Sequence, residues 1–203
     1  ADMSAIAVSQ DGAAIFLALE DGSGNSVVVK CERDDLTTFT AVYAPGAGTA
    51  CNVLATGDPD LMLFYGNFGS GIQVVKHVIS TGAETNISPS GLTTKVINAL
   101  AVNPSNISEI WATVNTDQDL LGTVDGGTTW TTLNAALGIN PTSLLVFWAG
   151  DYNDNRAFIG GTVTGVTELL YTPNEGASYS DYAGASLDGA AAIVGIEGKS
   201  DPT

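Results

Sequence analysis

A chain of 203 residues is long enough to bury one sizeable core. With 44% hydrophobic and 14% charged residues it is too apolar for a disordered chain, and no apolar run approaches the roughly 18 residues of a membrane-spanning helix. Acidic residues outnumber basic ones 22 to 6, a net charge of −16 that repels phosphate backbones and anionic membranes, and the six cations are scattered, so nucleic-acid binding and membrane insertion are not expected.

Short apolar runs separated by Gly, Asp, Asn and Pro follow one another along the chain, and no window carries a helical stripe. The first repeat offers strands at Ala5-Ile6-Ala7-Val8, Ile15-Phe16-Leu17, Val27-Val28-Val29 and Phe39 to Tyr43. The second offers Asn52 to Ala55, Leu61 to Phe64, Ile72 to Val75 and a weak Asn86-Ile87-Ser88. In the third come Ala99 to Val102, Ile110-Trp111-Ala112, Leu120 to Thr123 and Trp130 to Leu133. The fourth has Leu144 to Phe147, Ala157-Phe158-Ile159, Leu169-Leu170-Tyr171 and Tyr179 to Tyr182. Starts at 5, 52, 99 and 144 are 47, 47 and 45 positions apart, and Ala191 to Val194 begins a fifth interval.

Four short strands every 40 to 50 residues is the spacing of a propeller blade. The expectation is an all-β propeller of four-stranded antiparallel blades, four complete and one extra strand, in one domain spanning 1–203. Its repeats cover about 1–47, 48–94, 95–140 and 141–187, with a fifth begun at 188–203. The first two strands of each repeat are continuously apolar, as burial on both faces requires, and the later ones alternate.

Between the third and fourth strands of the third repeat stands Thr123-Val124-Asp125-Gly126-Gly127-Thr128-Thr129-Trp130, which matches Ser/Thr-x-Asp-x-Gly-x-Thr-Trp at every defined position. In such a turn the Asp125 carboxylate accepts backbone N–H groups, Gly127 takes positive φ, the Thr129 hydroxyl closes the loop and the Trp130 ring packs beneath. The fourth repeat carries a variant with Thr172, Asn174, Gly176, Ser178 and Tyr179. In the first repeat Asp34 and Thr38-Phe39 hold the acidic and aromatic places, with Leu36 where Gly belongs; around Ser80-Thr81-Gly82 the pattern is lost.

On these residues nearly the whole chain resembles the Asp-box (BNR-repeat) propeller superfamily, which includes sialidases, xyloglucan-type endoglucanases, sortilin-like receptors and a photosystem II assembly factor. The resemblance implies that the box is a fold element on the outer turn of a blade, away from the binding face, so Asp125 is expected to be structural.

Catalytic sets are missing. Sialidase-like chemistry asks for three arginines, and the chain has Arg33 and Arg156 alone. Glycosidase-like carboxylate pairs can be named at Asp58/Asp60, Asp117/Asp119 and Asp151/Asp154, all in turn contexts where Asp is common. His77 is the single histidine and lies in a strand-like run, with no Ser or Cys motif beside it. No cofactor is required. Calcium is the one for which ligands can be named, Asp151, Asn153 and Asn155 at alternate positions, but the Gly and distal Glu of a calcium loop do not follow, and turn filling is the competing reading. Cys31 and Cys51 fall at opposite strand ends and are expected as free, buried thiols.

The functional expectation is a non-catalytic structural or surface-binding module, extracellular or on a particle such as a virion, with a protein or glycan partner. The chain starts at Ala1 without an initiator Met, so a removed leader and an internal start are both open. An open sector of blades would favour a homo-oligomer or larger assembly. The alternatives are a carbohydrate-binding or glycoside-hydrolase-like propeller, for which Trp111, Trp148, Tyr152 and Tyr65 are candidate stacking rings, and a protein-binding assembly factor.

Overall fold

A computed structural model describes residues 2–9, 11–20, 23, 25–44, 50–56, 61–67, 72–90, 96–103, 105–114, 117–135, 137–148, 155–163, 166–181 and 193. Among them there is no helix, and the strands form four antiparallel four-stranded sheets. Sheet one holds β1 (Asp2–Val8), β2 (Ala14–Glu20), β3 (Ser26–Glu32) and β4 (Asp35–Tyr43), in that spatial order. Sheet two holds β5 (Ala50–Thr56), β6 (Leu61–Asn67), β7 (Ile72–Val78) and β8 (Ala83–Asn86). Sheet three holds β9 (Ile97–Asn103), β10 (Asn106–Val114), β11 (Asp119–Thr123) and β12 (Thr131–Asn134). Sheet four holds β13 (Asn140–Phe147), β14 (Arg156–Val163), β15 (Val166–Thr172) and β16 (Ser180–Asp181).

Each strand predicted within the four repeats lies in or against an observed one. The weak Asn86-Ile87-Ser88 is displaced, because the pairing strand is Ala83–Asn86, directly after the Gly82 turn. There the Gly82 N–H donates to the Val78 carbonyl at 2.8 Å, which brings Ala83 opposite Val78 and starts the ladder early. The fifth strand predicted at Ala191 to Val194 lies outside the described residues except for Ile193.

Two compact units make up the chain. One comprises Ala1–Thr94, Val102–Ile110 and Thr123–Thr129, and the other Lys95–Ala101, Trp111–Gly122 and Trp130–Thr203. In the first, the core between sheets one and two is built from Ala14, Phe16, Ala18, Val28 and Tyr43 against Cys51, Leu54 and Val75. Ala5 and Ala7 join it from β1, so a stripe of small side chains lets β5 approach β1 closely. In the second, Trp111, Leu120, Leu137 and Ile139 pack with Val146, Ala157, Ile159 and Leu170.

One detail recurs in three first strands. The pairing register slips between Met3 and Ala5, between Cys51 and Val53, and between Pro141 and Ser143, leaving Ser4, Asn52 and Thr142 as single extra residues of β-bulges. The Ser4 hydroxyl donates to the Cys51 carbonyl at 2.7 Å, and the Thr142 hydroxyl to that of Ile193 at 2.6 Å. In β9 the Asn98 amide donates likewise to the Pro141 carbonyl at 2.6 Å. The first strand β1 thus fastens itself to β5, and β9 to β13.

Candidate functional site

The turn after β11 is closed by two side chains. Thr123 Oγ1 accepts the Gly127 N–H at 3.0 Å and donates to Asp125 Oδ1 at 2.8 Å. Asp125 then takes the Thr129 N–H on Oδ1 at 2.9 Å and the Thr129 hydroxyl on Oδ2 at 2.6 Å. These donors, the Thr129 hydroxyl foremost, hold the carboxyl down to about 2. Gly126 and Gly127 both have positive φ, 70° and 89°. A Cβ on Gly127 would stand 2.5 Å from Cβ of Ile87, so that glycine is required by a close approach as well as by its dihedral.

The turn after β15 has the same wiring from different residues. Thr172 Oγ1 accepts the Gly176 N–H at 2.8 Å, and Asn174 Oδ1 accepts the Ser178 N–H at 2.9 Å and hydroxyl at 3.1 Å. Glu175 and Gly176 take the two left-handed positions, with φ 59° and 85°. The Gly176 carbonyl accepts the Asn134 amide at 2.7 Å, and the Tyr179 hydroxyl bonds Asn134 Oδ1 at 3.2 Å. Trp130 and Tyr179, the aromatic places of the two turns, are half-buried.

In sheet one the expectation fails in detail. Glu32 pairs directly with Asp35, so Arg33 and Asp34 form a two-residue hairpin with no room for an eight-residue loop. Among the described residues Asp34 meets Arg33 alone, at 3.4 Å on the surface. Asp35 is the carboxylate that closes the local loop: it accepts the Thr37 hydroxyl at 2.6 Å and N–H at 3.0 Å, which hold it down to about 2. Sequence reasoning passed over Asp11, which does similar work with the Ser9 hydroxyl at 2.6 Å and the Ala13 N–H at 3.0 Å and is also lowered. The Ser-x-Asp spacing was its signal.

Of the three carboxylate pairs, Asp117/Asp119 is the one within the described residues. It flanks Gln118, whose φ is 59°, in the turn that opens β11. Asp58/Asp60 and Asp151/Asp154 lie outside them, as do the calcium candidates Asp151 and Asn153. Asn155 is buried, and its carbonyl accepts the Glu175 N–H at 2.9 Å. Among the described residues no three His, Cys, Asp or Glu side chains are grouped to hold a metal.

His77 is buried, its ring 5.0 Å from that of Tyr43, with Glu84 3.7 Å away. Burial, with Glu84 second, pushes the Tyr43 hydroxyl up to about 12. Cys31 and Cys51 are free and buried, and burial pushes the Cys51 thiol up to about 12. Trp111 is fully buried against the edge of a half-buried Trp148, 5.7 Å between centroids, which makes it core. The side chain of Tyr65, and all of Tyr152, lie outside the described residues.

No family model matches the chain, and no curated protein matches it. Solved structures do. A xyloglucanase from Xanthomonas campestris superposes over 88% of this chain and 30% of its own, with TM-score 0.62 and 15% identity. YCF48 bound to a D1 peptide matches over 79% and 48%, with TM-score 0.59 and 19% identity. A putative TolB from Agrobacterium tumefaciens matches over 86% and 62%, with TM-score 0.63 and 13% identity. The fold is that of a β-propeller. The four sheets are its blades, and the chain spans less than two thirds of the length of each of these structures.

The propeller fold exposes a feature that sequence reasoning missed. Met3, Ile6 and Val8 are 58%, 55% and 54% exposed. Their register partners Leu19, Leu17 and Ile15 lie on the same face of the first blade and are half-buried. Phe39, on the fourth strand, is 51% exposed. The signal was the alternation of Ala5 and Ala7 with Ile6 and Val8, where small residues face one neighbour and large ones the other side.

Proposed function

We propose that this chain is a non-catalytic propeller module of the Asp-box kind, displayed outside the cell or on a particle such as a virion, and that its partner is a protein. The observation that carries the reading is the use made of its carboxylates. Asp11, Asp35 and Asp125 each accept a neighbouring hydroxyl and a backbone N–H, which leaves them ionised and committed to turns rather than poised to exchange protons. The two closed turns, wired alike from Thr123/Asp125 and Thr172/Asn174, support the Asp-box assignment. A protein partner is supported by the broad apolar face of the first blade, since contiguous exposed apolar surface marks association sites. Two structures of similar fold are of protein or peptide complexes, YCF48 with its D1 peptide and nidogen with laminin.

The test sets binding against hydrolysis. Incubated with xyloglucan and a panel of β-glucans, the chain is expected to release no reducing ends, and on a glycan array to retain none. Sugar release that disappears in Asp117→Asn or Asp151→Asn would replace this reading with a glycosidase.

A further inference from the structure

The tripeptide Asn-Ile-Ser occurs twice, at Asn86-Ile87-Ser88 and at Asn106-Ile107-Ser108. An asparagine followed two positions on by Ser or Thr, with no Pro between, is the pattern that accepts an N-linked sugar. The same side chains can instead fill a turn, the Asn oxygen taking the N–H two residues on. The two copies are identical in sequence and are used differently in the fold, and that difference separates the two readings.

In the second blade the copy is committed to structure. Asn86 Oδ1 accepts both the Ser88 N–H at 3.0 Å and the Ser88 hydroxyl at 2.5 Å. The Ser88 oxygen accepts the Val74 N–H at 2.9 Å, which ties the segment to β7. Ile87 is buried against Gly127, and a buried Pro89 follows. Asparagine and hydroxyl are engaged with each other, and the residue between them is inaccessible.

In the third blade the copy opens β10, just past the hairpin turn from β9. The stem is fixed from inside: the buried Asn103 amide donates to the buried Glu109 carboxylate at 2.7 Å, and Asn103 Oδ1 accepts the Ser105 N–H at 2.9 Å. On that stem Asn106 is exposed, and Ile107 is 39% exposed. Asn106 Oδ1 accepts the Ser108 N–H at 3.3 Å, which leaves the amide nitrogen as the free end of the side chain. Among the described residues neither Asn106 Nδ2 nor the Ser108 hydroxyl has a partner. Both groups that the acceptor pattern requires are therefore available, on a surface turn whose backbone is held in place.

We propose that Asn106 is the attachment site of an N-linked oligosaccharide, and that Asn86 is not one. The donor is an oligosaccharide carried on a polyprenyl diphosphate. Asn106 Nδ2 forms a bond to C1 of the first sugar as the C1–O bond to the diphosphate breaks. The diphosphate leaves with the electron pair, and the amide nitrogen gives up one proton. The sugar so attached adjoins Ile107, an apolar side chain that the fold leaves in solvent. The proposal rests on the reading that the chain is displayed outside the cell, because such a donor is met on the export route. A bare Asn106 would not touch that reading, which fails instead if the chain is found inside its source cells.

The test directs the chain through the export route of a eukaryotic cell. All of the product, released and retained, is digested and mapped by mass before and after peptide N-glycosidase. Asn106 should carry the sugar and be left as Asp by the enzyme, and Asn86 should read as unmodified Asn. Asn106→Gln and Ser108→Ala should each abolish the enzyme-sensitive mass shift. Ser108→Thr, which keeps the hydroxyl, should retain it, and Asn86→Gln should leave it unchanged. The wild-type map decides by itself, so a variant that fails to fold does not shield the proposal. An Asn106 that stays bare overturns it, as does a sugar on Asn86. A mass shift that survives Asn106→Gln or Ser108→Ala overturns it equally.

Discussion

At the scale of single residues, Asp125 links sequence, turn and pH. Its carboxyl is held at about 2 in the folded chain against an ordinary 3.8, chiefly by the Thr129 hydroxyl. A depressed carboxyl contributes stability that is fully present above its unfolded value and is lost as pH falls through the folded one. The contribution of Asp125 should therefore disappear between about pH 4 and pH 2. Asn174 does the same work in the fourth blade with one oxygen, so Asp125→Asn should keep the turn while losing the second acceptor of the Thr129 pair. The melting temperature of Asp125→Asn should fall modestly at pH 7 and converge on wild type by pH 2, whereas Asp125→Ala should melt lower still at neutral pH. Equal melting temperatures for all three proteins at pH 7 would remove the turn's claim to be a stabilising device. This residue was legible in the sequence because the hydrogen-bond partners of the motif are all local. The place of Asp34 was misread for the opposite reason: whether a carboxylate closes a loop depends on where the hairpin turns, and Glu32 opposite Asp35 fixes that through strand pairing.

At the scale of elements, the two left-handed positions of the turn carry different constraints. Gly126 has φ 70° and only the flexible Lys76 ammonium near its vacant Cβ site, and the fourth blade tolerates Glu175 at the matching place. Gly127, with φ 89°, is pressed against Ile87, and Gly176 against Leu120 in the same manner. Gly126→Ala should then cost about 1 kcal/mol for the left-handed backbone alone. Gly127→Ala adds overpacking to that strain and should cost about 2–4 kcal/mol in denaturant unfolding. If the two variants lose the same stability, the turn is not a contact point. The motif's pattern already fixes the second glycine and leaves the first free, but the reason is Ile87, 40 positions earlier, and no local reading supplies it. Strands were legible for a related reason. Buried β-branched and aliphatic runs are dense in β2, β10 and β14, whereas β8 is exposed throughout and has no apolar signature to place it.

For the whole molecule, two electrostatic effects oppose each other as pH falls, and salt separates them. With 22 acidic and 6 basic residues the folded chain repels itself at pH 7, a repulsion that weakens towards its pI of about 4.1. Acidification from pH 7 to about 5 should therefore raise the melting temperature at low ionic strength. Below about pH 4 the sign reverses, because the turn carboxylates Asp35 and Asp125, held at about 2, must then take up protons in the unfolded chain first. Stability should pass through a maximum on the acidic side of neutrality. Near 1 M salt, where the screening length is about 3 Å, the long-range repulsion is removed and the rise from pH 7 to 5 should flatten. Hydrogen bonds to Asp35 and Asp125 span 3.0 Å or less and are not screened, so the fall below pH 4 should persist. Calorimetry across pH 2 to 7 at two salt concentrations reads both limbs. A fall below pH 4 that vanished in high salt would assign it to diffuse charge instead of to the turns.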